Sequence, residues 1–92
     1  MVIHEQGEGF VRMLKDKRLS LKTKGLLAYL SRCPEAVTIN PEYVANDMHD
    51  GIASVRTAIA EAEKHGYLKR EQKRIKTNAG YVFGEWVWTV RI

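Results

Sequence analysis

The fold of this chain is decided by residues 39–76, INPEYVANDMHDGIASVRTAIAEAEKHGYLKREQKRIK. Apolar residues recur there at the spacing of one helix face, which predicts an amphipathic helix over residues 52–65. The apolar stripe consists of Ile52, Val55, Ala58, Ile59 and Ala62. The opposite face carries short or polar side chains over its first two turns and can therefore approach a DNA groove closely. An ordinary core helix has the same periodicity, so the spacing alone assigns no role.

Both ends of this predicted helix have sequence signals. Lys64 places a cation in the last turn, and Gly66 follows at a position where a left-handed residue often ends a helix. At the start, either Asp50 or Ser54 has a side chain suited to capping. Asp50 is favoured, because Ile52 already belongs to the apolar stripe.

Two further helices are predicted before this one. Asn40 and Pro41 are typical of a helix start, and the short helix that they begin ends before Gly51. Residues 20–33 form a longer apolar pattern that Pro34 terminates. This longer helix would cover the apolar faces that the two following helices cannot bury by themselves.

After the third helix the period changes from helical to alternating. This change predicts a strand over residues 68–75, a turn over residues 76–80 and a return strand from Tyr81 onward. Four residues of the return strand alternate toward an interior: Trp86, Trp88, Val90 and Ile92. The two tryptophans and the neighbouring aromatics could also stack the bases of a single strand, but their alternation on one strand is better explained as core.

The alternation of the return strand is interrupted once. Tyr81 and Phe83 are out of phase with the tryptophans that follow them. A bulge at Gly84-Glu85 would bring both groups to the same face, because one extra residue shifts the alternation by one.

The amino end has weaker signals. Residues 10–14 alternate, which suggests a short third strand before the first helix. Residues 1–8 have no pattern and are expected to be mobile or to form a crossing arm. Residues 1–9 would thus be a flexible amino-terminal arm, and residues 10–92 a single domain.

The charge of the chain is concentrated in the predicted hairpin. Residues 69–76 hold five cationic side chains and one anionic side chain, an excess of four that equals the formal net charge of the whole chain, +4. A hairpin that is merely solvated would normally mix the two signs. The excess favours a hairpin that binds the phosphates of nucleic acid.

These patterns identify three groups of candidate DNA contacts. The helix over residues 52–65 offers Ser54, Arg56, Thr57 and Lys64 to bases and phosphates. The hairpin offers Lys69, Arg70, Lys73, Arg74 and Lys76 to the backbone or the minor groove. The first helix would add backbone contacts from Lys22 and Lys24.

Little in the chain supports an enzyme. His4, His49 and His65 have no partners at metal-ligand spacing, and no glycine-rich phosphate loop follows a strand. We therefore expect no catalytic residue, no metal and no cofactor.

Cys33 has no second cysteine to pair with, which is typical of a reducing compartment. Because there is no signal peptide and no apolar run long enough to span a bilayer, we expect a cytoplasmic protein without a membrane partner.

Helices followed by a basic hairpin predict an α+β fold of the winged helix-turn-helix type. The expected architecture has three helices and a two- to three-stranded antiparallel β-sheet, the wing. The segments LSLKTKGLLAYL, INPEYVA and DGIASVRTAIAEAEKHGYL also resemble the winged-helix domains of phage and plasmid replication initiators, replisome organisers and DnaD-like primosomal proteins. The resemblance covers roughly residues 10–90. It implies that the helix over residues 52–65 reads DNA and that residues 68–88 form the wing.

The chain departs from that family in two respects. Ala62 stands where such sequences usually have leucine, and the chain stops after the wing, where replication organisers continue into a second region. We therefore expect either an amino-terminal domain of a longer protein or a small independent binder.

The expected function is sequence-specific binding of double-stranded DNA for a mobile element, in replication initiation, conjugative transfer or transcription regulation. The helix over residues 52–65 would lie in the major groove, and the wing over residues 68–82 would contact phosphates or the minor groove. A homodimer, or tandem copies on repeats, would supply two reading helices. The alternative is a protein-interaction module that assembles a replication or transfer complex with replication or relaxosome proteins.

Overall fold

The computed structural model describes residues 1–5 and 9–92, and these residues form four helices and three strands. In chain order the elements are β1 (Val2–Glu5), α1 (Phe10–Leu14), α2 (Leu21–Leu30), α3 (Pro41–Asn46), α4 (Ile52–Lys64), β2 (Leu68–Thr77) and β3 (Gly80–Arg91). Helix α4 packs against both α2 and α3, and its end contacts β2.

The core lies between these three helices and the base of the β2–β3 hairpin. Four residues of the predicted apolar stripe of α4 are buried: Val55, Ala58, Ile59 and Ala62. They pack in one cluster with Leu27 and Leu30 of α2 and with Trp88 of β3. Because each fully buried aliphatic side chain stabilises the fold by about 1.5 to 3 kcal/mol, this cluster fixes the position of α4.

The three strands form a mixed sheet with the order β1-β3-β2. Strand β2 is antiparallel to β3, whereas β1 is parallel to β3, with Val2 opposite Trp88. The expectation of a winged helix-turn-helix with three helices and an antiparallel sheet is therefore wrong. A fourth helix and a parallel amino-terminal strand give a different order of elements.

The first of these differences is helix α1, which occupies the residues expected to form a strand. Phe10, Met13 and Leu14 also satisfy the i, i+3, i+4 spacing of a helix, and Met13 is fully buried. Gly9 precedes the helix at a point where the chain passes close to the end of β3. A Cβ on Gly9 would lie 2.8 Å from the carbonyl carbon of Ile92, so only glycine fits there without a shift.

The second difference is strand β1, which lies within the segment expected to be a flexible arm. Val2 is fully buried, and its N–H donates to the Glu35 carbonyl at 3.1 Å. The Trp88 N–H donates to the Met1 carbonyl at 2.8 Å, so the amino end supports the carboxyl-terminal part of β3. The remainder of the predicted arm, residues 6–8, lies outside the described residues.

The hairpin contains the predicted bulge. Gln72 pairs with Trp86 and Arg74 pairs with Phe83, so Lys73 faces two residues of β3, Gly84 and Glu85. The bulge at Gly84-Glu85 is thereby confirmed. It places Tyr81 and Phe83 on the same sheet face as the two tryptophans.

The burial of the side chains on this face differs from the expectation. Trp88 and Val90 are buried and Ile92 is half-buried, but Trp86 is 46% exposed and does not reach an interior. Beyond Trp86 the hairpin leaves the core, and residues 73–83 are exposed on both faces. The molecule is correspondingly elongated, with extents of 49 × 29 × 23 Å.

Candidate nucleic-acid interface

The orientation of α4 is held by a link to the start of α2. Ser20 is the N-cap of α2, and its hydroxyl accepts from the Thr23 N–H at 3.4 Å. The Ser20 N–H donates to the Glu61 carboxylate of α4 at 2.6 Å. Glu61 thus supplies from another helix the carboxylate that a capping box supplies within one helix. The bond from the Ser20 N–H lowers the pKa of Glu61, since it stabilises the charged carboxylate.

The junction between α4 and the hairpin is held by a second polar link. Gly66 adopts a positive φ of 80°, and the Tyr67 N–H donates to the Ala62 carbonyl at 3.0 Å, as expected for a helix ended by glycine. The Tyr67 hydroxyl then donates to Asp16 at 2.7 Å. Hydrogen bonds from Arg18, and then from Tyr67, hold the pKa of Asp16 far below its usual range. The Asp16 carboxylate thereby connects the loop between α1 and α2 to Tyr67, the residue directly before β2.

The start of α4 differs from the expectation. Gly51 is the N-cap and no side chain caps the helix, so Asp50 does not have the predicted role. Ser54 is half-buried and lines a groove between α2, α3 and α4 together with Lys22. The structure therefore brings Ser54 and Lys22, which were predicted in separate groups, to one groove.

Over the first two turns of α4, the exposed face carries one large side chain, that of Arg56. Arg56 and Thr57 are both exposed, and Lys64 is exposed in the last turn. The Arg56 guanidinium donates to Glu42 of α3 at 3.2 Å, and both side chains are more than 60% exposed. The Thr57 hydroxyl donates to the Ala53 carbonyl at 2.9 Å and can still accept from another molecule.

The five cations of the hairpin are divided between its two faces. Lys69 and Lys73 lie on one face, and each has an acidic partner, Glu71 and Glu85 respectively. The hydrogen bond from Lys69 lowers the pKa of Glu71. The other face carries Arg70, Arg74 and Lys76. Within the described residues Arg74 and Lys76 form no ion pair.

Arg70 occupies a different environment from the other hairpin cations. Its guanidinium donates to Glu63 of α4 at 2.8 Å, and its side chain is only 30% exposed. The guanidinium carbon also lies 5.5 Å from the centre of the Trp88 ring. Arg70 therefore fastens the last turn of α4 to the base of the hairpin, and it is less available to phosphates than Arg74 and Lys76.

The first turn of α2 carries the remaining two predicted contacts. Lys22 is exposed and Lys24 is partly exposed, and neither has an acidic partner within residues 1–5 and 9–92. Lys22 reaches the groove beside Ser54. The structure does not place Lys24 with that groove.

Sequence reasoning weighed the hairpin aromatics as a platform that stacks bases and preferred to assign them to the core, which is wrong for three of them. Tyr81 and Phe83 are each 69% exposed and share a face with Trp86. Their phase along β3 identifies the sheet face on which they lie, but the strand extends beyond the part of this face that the core covers. Alternation defines the face of a residue, whereas the number of covering elements decides its depth.

No group of three or more His, Cys, Asp or Glu residues that could hold a metal is found in the described part of the chain. No described helix is both long enough and apolar enough to cross a bilayer.

No protein-family model, no curated protein and no solved structure matches the chain.

Proposed function

We propose that this protein binds double-stranded DNA through the outer face of α4 and the β2–β3 hairpin. One observation carries the proposal: the hairpin holds the whole cationic excess of the chain and projects beyond the core, with Arg74 and Lys76 unpaired in the described residues. Such a projection adds no apolar burial to the fold. A cationic arm of this kind attracts the phosphate backbone at long range.

The two surfaces would have separate tasks. In α4, Arg56 and Lys64 are balanced by Glu61 and Glu63, so the helix brings no net attraction to phosphates. The hairpin would supply most of the affinity. Arg56 would read base edges in the major groove after exchanging its exposed partner Glu42 for a base, which costs little because exposed ion pairs are weak.

A single copy presents one short reading helix. Sequence-specific recognition generally uses two half-sites about 34 Å apart, so we propose a homodimer on DNA or tandem copies on repeats.

The role in replication initiation, conjugative transfer or transcription regulation of a mobile element is proposed from the sequence resemblance alone. A DNA-binding role of that kind would place the protein in the cytoplasm.

The proposal is tested by the salt dependence of binding to a labelled duplex. We expect saturable binding at about 50 mM salt that weakens steeply toward 200 mM, because each neutralised phosphate adds nearly one unit to the slope of log affinity against log salt. Replacing both Arg74 and Lys76 by alanine should reduce that slope by about two units.

A matched control removes the same charge elsewhere. Lys15 and Lys17 are exposed in the segment between α1 and α2, and replacing both by alanine also lowers the net charge by two. We expect this control to bind nearly as the parent does. Equal losses in the two double variants would show that only the overall charge matters and would contradict a specific interface.

A second candidate is a protein-interaction module that assembles a replication or transfer complex. It is favoured by the apolar surface of α1, where Phe10, Val11 and Leu14 are all exposed. Such a module would show no saturable duplex binding even at about 50 mM salt. Replacing Val11 by a charged residue would weaken its protein complex.

A further inference from the structure

The hairpin exposes a row of aromatic rings that the duplex proposal does not use. Tyr81, Phe83 and Trp86 lie on one face of β3, and each has more than two fifths of its surface in contact with solvent. We call these three residues the aromatic row. Exposed large apolar groups in a contiguous set usually mark a surface that another molecule covers.

Each ring of the aromatic row has a polar or cationic neighbour directly across the hairpin. Lys76 is opposite Tyr81, Arg74 is opposite Phe83, and Gln72 is opposite Trp86. The fourth pair is Arg70 with Trp88, which is buried. Because directly opposed residues of antiparallel strands share a face, rings and cations form two adjacent lines. A matching ligand must offer both flat apolar surfaces and regularly placed negative charges.

Stacking on these rings requires bases that are not paired. Tyr81 and Phe83 are two residues apart, which corresponds to about 6.8 Å along an extended strand. This is twice the rise of about 3.4 Å per nucleotide in a stacked strand. In a duplex the base faces are already covered and only the edges are accessible in the grooves. Unpaired bases expose their faces and can stack on aromatic side chains.

The aromatic row ends at a recess near the core. Trp86 borders this recess together with Trp88, Arg70 and the residues before and at the start of α3, Ile39, Asn40 and Pro41. A base stacked on Trp86 would therefore meet a second wall, whereas bases on Tyr81 and Phe83 would be open to solvent. The row thus has a closed end at Trp86 and an open end at the hairpin tip.

We propose that the aromatic row binds a single polynucleotide strand, with unpaired bases stacked on Tyr81, Phe83 and Trp86 and with phosphates held by Arg74 and Lys76. This activity goes beyond the duplex binding proposed above. The two activities share the cations Arg74 and Lys76, but only the single-strand activity requires the rings. A protein carrying acidic and apolar side chains is the competing occupant, and the test separates it.

The test compares the same chain on two probes, a labelled 15-nucleotide oligothymidylate and a labelled 15-base-pair blunt duplex, at about 50 mM salt. Replacing both Tyr81 and Phe83 by alanine should weaken oligothymidylate binding at least about 25-fold, since each stacked base contributes about 5- to 140-fold. Duplex binding should change by less than about twofold. Trp86→Phe keeps a ring at the closed end and should retain most of the affinity.

The matched control uses the other face of the same hairpin segment. Ile75 and Val82 are directly opposed there and are about half exposed. Replacing both by alanine removes apolar surface without touching the aromatic row and should leave oligothymidylate binding unchanged. Thermal unfolding of both double variants verifies that each hairpin forms.

Four results would overturn the proposal. The first is the absence of oligothymidylate binding, and the second is an equal loss of that binding in the Tyr81/Phe83 variant and in the Ile75/Val82 control. The third is a Tyr81/Phe83 variant that loses duplex binding as strongly as oligothymidylate binding. The fourth is a Tyr81/Phe83 variant that changes only self-association or protein binding. An oligouridylate probe tests whether the aromatic row distinguishes the two sources of single strands, DNA and RNA. Equal affinity for both is expected, because rings and phosphates are common to DNA and RNA. Single-strand binding without any duplex binding would support this inference while contradicting the proposed function.

Discussion

Replacing Val2 by alanine tests whether the amino-terminal strand belongs to the core of the fold. Val2 is fully buried in β1 opposite Trp88, and the substitution removes two carbon atoms. At about 0.8 kcal/mol for each buried carbon, the transfer of these atoms contributes about 1.6 kcal/mol, and the cavity left behind adds to it. The total stability of a chain of this length is about 5 to 14 kcal/mol, so the effect is measurable.

The expected loss corresponds to a decrease of about 6 to 13 °C in Tm, because 1 kcal/mol shifts the midpoint of a domain of this size by about 4 to 8 °C. The assay is thermal unfolding followed by circular dichroism, with urea unfolding as the second measurement. Ile3→Ala is the control, since Ile3 is the next residue and is exposed. A Val2→Ala variant with the Tm of the parent would refute the assignment of β1 to the sheet.

Three further predictions concern single side chains. Glu61→Gln should make the free energy of unfolding, measured in urea, depend less on pH in the acid range. The lowered pKa of Glu61 stabilises the folded parent at pH values above the ordinary carboxyl pKa of 4.5, and that stabilisation is lost as pH falls through the folded-state pKa. An unchanged pH profile would contradict the link to Ser20. Arg56→Ala should cost about 1 to 3 kcal/mol on a cognate duplex and little on random DNA, whereas equal losses would indicate a phosphate contact. Cys33 should react slowly with a thiol reagent until urea unfolds the chain, because burial raises the pKa of its thiol; rapid reaction of the native chain would contradict that burial.

The sequence predicted correctly those features that depend on local patterns. The apolar stripe of α4 follows from helical spacing, and its end follows from Gly66, which is the type of residue that adopts a positive φ. The bulge at Gly84-Glu85 follows from two incompatible phases on one strand. Each of these features is determined by residues close to one another in the chain.

The features that were mispredicted depend on distant partners. Strand β1 exists because it pairs with β3 at the opposite end of the chain, where the amino group of Met1 donates to the Trp86 carbonyl. Helix α1 has only five residues, too few to distinguish helical spacing from alternation. The exposure of Trp86 reflects where the covering helices end, and no pattern within β3 contains that information.

The same distinction applies to the candidate interface. Charge counting identified the hairpin, because the excess of four is a property of the sequence. Which cations remain available depends on contacts across the fold. Arg70 lies against Glu63 and Trp88, and Lys73 lies within 3.9 Å of Glu85. The sequence named five hairpin cations as candidates, and only the structure narrows the available ones to Arg74 and Lys76.

The central claim is that α4 and the hairpin together contact duplex DNA, and the most direct measurement is an amide chemical-shift map. The isotope-labelled chain would be titrated with a 15-base-pair duplex at about 50 mM salt. We predict that the largest shifts fall on the outer face of α4 around Arg56 and Thr57 and on residues 69–76 of the hairpin. Shifts centred on α1, Phe10–Leu14, or the absence of any saturable change would contradict the account.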